Sequence, residues 1–120
     1  MSQLIEKPKK ILAAGNKPKI IKEFVGRVNT GNQEISIARM DSPDGWTEAG
    51  QTPDFDEFTI VLGGELNVRT KDGEVQVSSG QAFHAQKGQW VQYSTPFKDG
   101  AAYISVCIPA WSRDLVNRDE

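Results

Sequence analysis

One histidine and one cysteine bound the chemistry this chain can do. With His84 as its single imidazole, a zinc or iron site of several imidazoles cannot be assembled within one chain. A pair of His84 with Glu57 stays open, although a lone histidine on a half-buried strand is usually structural. Cys107 cannot form an internal disulfide, and its place in the apolar run from Ile104 to Ile108 predicts a buried, inert thiol. Carboxylates gather at Asp54, Asp56 and Glu57 around Phe55. On a strand, neighbours face opposite sides, so Asp56 points away from Glu57 and the cluster is no ready acid/base pair.

Uncharged hydrogen-bonding groups at Gln51, Gln89 and Tyr93 have the position or parity to reach the mouth of a barrel, where they suit a polar organic ligand. Trp46, Trp90 and Trp111 could line such a site or pack at strand ends, the commoner role. Arg39 is the best cationic candidate for an anionic ligand group, if its strand turns it inward. The chain contains no G-x-x-x-x-G-K-[ST], G-x-G-x-x-G, C-x-x-C or G-x-S-x-G, so nucleotide, dinucleotide, zinc-ribbon and serine-hydrolase readings have no local support.

The elements that must position these residues read as strands. Short runs rich in β-branched and aromatic residues recur between turn signals, the pattern of a sandwich or barrel. The expected strands are Ile20 to Arg27, Glu34 to Met40, Phe55 to Leu62, Glu65 to Thr70, Glu74 to Val77, Gln81 to Ala85, Val91 to Ser94 and Ala101 to Ile108. Between them lie turn sequences such as Gly63-Gly64 and Asp72-Gly73; the latter predicts a type I′ hairpin. Residues 1–18 read as an arm with at most one helical turn near Ile11 to Ala14, residues 19–111 as a β-barrel, and 112–120 as a tail with a helical turn capped by Ser112. In Phe55 to Leu62 one parity carries Phe55, Glu57, Thr59 and Val61, the other Asp56, Phe58, Ile60 and Leu62. Apolar groups on both faces imply a second sheet on one side and an arm or another subunit on the other.

Composition narrows the partners. At 120 residues the chain is one domain with a core of its own, and 38% apolar with 25% charged residues is ordinary for a soluble globular protein. A net charge of −2 argues against the basic surface of a nucleic-acid binder, and the early lysines from Lys7 to Lys22 are broken by Pro8 and Pro18, as in a solvated arm. No stretch has the length and apolarity of an export signal or membrane span, so the cytoplasm is expected and a membrane partner is not.

From Gly45 to Pro109 the chain resembles the cupin superfamily. Glu57 and Gly64 stand at the spacing of the first cupin motif's glutamate and closing glycine, and Gly80 with Gln86-Lys87-Gly88 fits the start of the second motif. The first motif's two histidines fall at Gln51 and Pro53, or at Gly50 and Thr52, and the second motif's histidine at Val91. Of the usual four metal ligands only Glu57 survives. Within the superfamily, Phe55-Asp56-Glu57, Ser94-Thr95-Pro96 and Ile108-Pro109-Ala110-Trp111 are most similar to the ethanolamine-utilization cupins, which also replace the second-motif histidine by an apolar residue.

The resemblance implies an all-β, double-stranded β-helix (jelly-roll, RmlC-like) barrel, usually paired as a homodimer. It places Glu57 inside, with Val91 facing the same cavity; because the usual ligand histidines are missing, neither a tightly bound metal nor another cofactor is expected. The expected function is binding of a small polar or carboxylated molecule in the barrel by Glu57, Gln51, Arg39, Val91, Tyr93, Trp90 and His84. A metal-independent isomerase or lyase using Glu57 as acid or base is the alternative, and an accessory protein of a pathway such as ethanolamine utilization is a third.

Overall fold

The computed structural model describes residues 2–120. Its strands are β1 (Lys9–Ile11), β2 (Ile20–Val25), β3 (Ser36–Ser42), β4 (Trp46–Thr47), β5 (Asp56–Thr70), β6 (Gly73–Ser78), β7 (Ala82–Ala85), β8 (Val91–Thr95) and β9 (Ala101–Ile108). One short helix, α1 (Arg113–Val116), follows, and the Ser112 hydroxyl accepts from the Asp114 amide to cap it. All pairings are antiparallel. One sheet runs β1-β2-β3-β9-β5-β7 and the other β4-β8-β5-β6.

Strand β5 belongs to both sheets and is the element the sequence divides wrongly. Its first half pairs β9 and β7, and its second half pairs β6 and β8. Gly63-Gly64 is therefore no reversal but a bulge, where the register against β9 shifts between Val61 and Gly63 and the strand bends from one sheet into the next. Gly64 is left-handed at φ 70°, and a Cβ there would stand 2.1 Å from the Gly100 carbonyl oxygen, so only glycine fits the corner. The expected Asp72-Gly73 turn is also displaced. Thr70 pairs with Gly73, so Lys71 and Asp72 form the loop, and of these residues Gly73 alone has positive φ. In the arm a strand, β1, replaces the expected helical turn, because the edge of β2 offers backbone groups that Lys9 to Ile11 satisfy.

Alternation sorts the first sheet into two faces. Glu57, Thr59 and Val61 of β5 are buried, as are Tyr103, Ser105 and Cys107 of β9, whereas Phe58, Ile60 and Leu62 remain 38%, 44% and 47% exposed. Trp46, Val61, Leu66, Val68, Val77, Val91, Tyr93 and Tyr103 form the core between the sheets. Burial of each large apolar side chain contributes about 1.5–3 kcal/mol. A satellite cluster of Phe55, Cys107 and Val116, with Trp111 and Leu115 against it, docks α1 on the barrel.

Candidate functional site

Glu57 reaches the interior because it stands on the inward parity of β5, opposite Cys107 on β9 and Ala85 on β7. It is 8% exposed. Tyr93 Oη from β8 donates to Oε1 at 3.0 Å, and Ser105 Oγ from β9 donates to Oε2. Ser105 Oγ also lies 3.8 Å from Cys107 Sγ, so a polar row of tyrosine, glutamate, serine and thiol crosses an otherwise apolar interior. Burial pushes the Glu57 carboxyl above its ordinary range and the charge of Glu48 adds to this; the hydrogen bonds from Ser105 and Tyr93 and the charge of Lys19 oppose it. Burial, then the charge of Glu57, raises the Tyr93 phenol well above its usual value. The Cys107 thiol is pushed up by the same two causes, which makes it a weak nucleophile.

Glu57 and Tyr93 of this row face a cavity of about 50 Å³. By the same measure a water needs about 10–15 Å³, so the space admits roughly three to five water-sized groups. Its polar wall is Glu57, Gln51, Tyr93, Glu48, Lys19 and Arg118; Phe55, Tyr103 and Trp111 supply aromatic surface, and Leu12 and Ala14 of the arm close one side. Arg118 Nη1 donates to Glu48 Oε1 at 2.9 Å and to Gln51 Oε1 at 3.0 Å. The C-terminal segment holds it there, since Gln51 bridges to Arg118 and the Asp119 amide donates to the Gly50 carbonyl at 2.8 Å. Lys19 Nζ lies 3.9 Å over the Trp46 ring and 5.1 Å from that of Tyr103, a cation stabilised by two aromatic faces beside the carboxylates.

The expected site residues thus divide. Glu57, Gln51 and Tyr93 are brought together around one cavity. Val91 shares the inward face of β8 with Tyr93 but is buried in the core and does not line that cavity. Arg39 points outward and pairs with Asp41 at 3.3 Å, because the inward parity of β3 belongs to Ser36, Ala38 and Met40. His84 also faces out, stacked on Phe58 with Nε2 3.1 Å from Asp56 Oδ1, too far around the strand to pair with Glu57. The Lys87 amide and then His84 hold the Asp56 carboxyl below its usual range. Trp90 donates to Asp119 Oδ2 at 2.8 Å and packs over Gly50, outside the cavity. Sequence reasoning misses Lys19, Glu48, Ser105 and Arg118. Only the inward parity of Ser105 with Cys107 could have signalled one of them.

A metal of the kind that cupins hold does not fit here. The Glu57 carboxylate is engaged by two hydroxyl donors, and among the described residues no three His, Cys, Asp or Glu side chains converge. The arrangement can hold or exchange a proton at Glu57 and can pair an anion with Lys19 or Arg118.

Two curled antiparallel sheets sharing one bent strand, with an inward glutamate on that strand, define the class: the chain has the cupin fold. It is similar in structure to the EutQ protein of Clostridium difficile, at TM-score 0.62 and 25% identity over 77% of this chain and 63% of that one. A predicted oxalate decarboxylase from Thermotoga maritima superposes at TM-score 0.71 with 17% identity, over 86% of this chain and 92% of that one, a likeness of fold. The curated endoribonuclease YbeY of Myxococcus xanthus (strain DK1622) is 38% identical over 101 residues, 84% of this chain but 34% of that protein. The chain therefore spans about a third of the relative's length. No family model matches.

Proposed function

We propose that this cupin binds a small carboxylic acid, or a similarly small polar molecule, against Glu57 without a tightly bound metal. The observation that carries this reading is a buried carboxyl with raised proton affinity, held by Tyr93 and Ser105 on the wall of a cavity that is also lined by Lys19, Gln51 and Arg118. A protonated Glu57 donates to a ligand oxygen, and Lys19 or Arg118 offers the countercharge. The cavity volume favours a molecule of very few carbon atoms. A crystal soaked with short carboxylic acids tests it: density between Glu57 and Lys19 is expected, and an acid bound only on the outer surface would refute it.

The same proton at Glu57 supports metal-independent isomerase or lyase chemistry as the second reading, with Glu57 as acid or base. The endoribonuclease activity named for the Myxococcus protein belongs to a chain about three times as long as the matched stretch, and the acidic balance here gives it no support. Among the described residues no helix is long and apolar enough to cross a membrane. A reduced, buried Cys107 suits the cytoplasm.

The proposed state is a homodimer. Phe58, Ile60, Leu62 and Ile108 are exposed on the outer face of the first sheet, Phe58 in register with Val106 and Ile60 with Ile104. Arg39 lies beside this face on β3, in register with Ile104 and paired with Asp41.

A further inference from the structure

We propose that a basic cleft at the base of the arm is a second binding site, for a small organic anion with an apolar body. Lys10 of β1, Arg27 and Val28 of the loop after β2, and Trp111 and Arg113 flanking the start of α1 line an open cleft of about 330 Å³. No aspartate or glutamate belongs to its lining. Among the described residues, the ion pairs involve Arg39, Arg69, His84 and Arg118, and none involves Lys10, Arg27 or Arg113. Three uncompensated cations thus converge in a chain whose net charge is −2. An anion bound between them would offset their mutual repulsion, and a concave wall focuses their field.

The cleft is preorganised. Arg27 Nε donates to the Ala110 carbonyl at 3.2 Å and Nη2 to the Gln33 carbonyl at 3.4 Å, which fixes the guanidinium and leaves its remaining N–H groups for a ligand. The Trp111 amide donates to Ser36 Oγ at 2.9 Å, anchoring the backbone of Trp111 beside it. Trp111 and Val28 supply the apolar surface, so a carboxylate or phosphate attached to a hydrophobic body matches both halves of the cleft. Trp111 also walls the Glu57 cavity, which makes the indole a reporter for either site.

The test is amide and indole NMR of the full chain during titration with benzoate, phenyl phosphate and inorganic phosphate. Saturable shifts of the Trp111 indole N–H, assigned with Trp111→Phe, are expected with benzoate or phenyl phosphate, and weaker ones with inorganic phosphate; the two organic probes separate carboxylate from phosphate preference. The exposed pair Lys10→Gln with Arg113→Gln should weaken binding by about tenfold or more while leaving the spectrum folded. Arg27 is spared because its two carbonyl bonds hold the loop. The absence of saturable shifts with every probe would overturn the proposal, as would undiminished affinity in the double variant. So would shifts centred on Thr59 and Ser105 inside the barrel, which would instead favour the Glu57 site.

Discussion

Tyr93 and Glu57 meet across the barrel, the phenol of β8 donating at 3.0 Å to a carboxylate of β5 that has almost no access to solvent. Each group is shifted by the other and by burial, and the bond ties the two sheets together at the cavity wall.

Stability should carry the signature of that carboxylate. The folded-state affinity of Glu57 for its proton lies above the ordinary value of 4.5, so its contribution is fully present below that pH and is lost as pH rises through the raised folded value. Glu57→Gln cannot lose a proton and should gain on the wild type as pH rises. Tyr93→Phe removes a donor that the carboxylate uses, raises the Glu57 value further, and should cost about 1–2 kcal/mol at neutral pH and less in acid. Urea unfolding of the three proteins across this range measures both effects; a pH-independent gap between wild type and Glu57→Gln would contradict the buried acid.

The corner of β5 gives a sharp contrast between neighbours. At Gly63 an added Cβ meets nothing within 4 Å, whereas at Gly64 it meets the Gly100 carbonyl at 2.1 Å with φ at +70°. Gly63→Ala should be nearly neutral and Gly64→Ala should cost about 3 kcal/mol or more. Thermal unfolding compares them, and equal losses would mean that the bend is not fixed at Gly64.

Arg118 connects the tail to the site. Arg118→Gln leaves the nearly buried Glu48 without its 2.9 Å partner and should cost about 1–3 kcal/mol. Glu48→Gln in the same chain should recover part of that loss. A double-mutant cycle in denaturant with no coupling between the two positions would show that the tail does not hold the cavity wall.

Ile60 lies centrally on the exposed face, paired in register with Ile104. Ile60→Lys should convert a dimer to a monomer without loss of fold, as read by light scattering with circular dichroism. A wild-type chain that stays monomeric at micromolar concentration would exclude the pairing.

Most strands were legible because alternation and turn residues are local signals, and the inward place of Glu57 was legible through the resemblance of its motif to the cupins. The bend at Gly63-Gly64 was not, since two glycines with freedom at positive φ serve a hairpin and a bulge alike. Arg39 and His84 show the limit of parity: alternation says which residues share a face, and only pairing to β9 and β7 decides which face looks inward. Lys19, Glu48 and Arg118 meet through the return of both chain ends to the barrel, a long-range event with no local pattern.

The claim that Glu57 binds a small carboxylic acid in the barrel is tested most directly by calorimetric titration of short mono- and dicarboxylic acids into wild type and Glu57→Gln. At least one acid should bind saturably to the wild type, with proton uptake above the Glu57 value and affinity reduced by about tenfold or more in Glu57→Gln. Binding of equal strength to both proteins, or no saturable binding by any short acid, would contradict it.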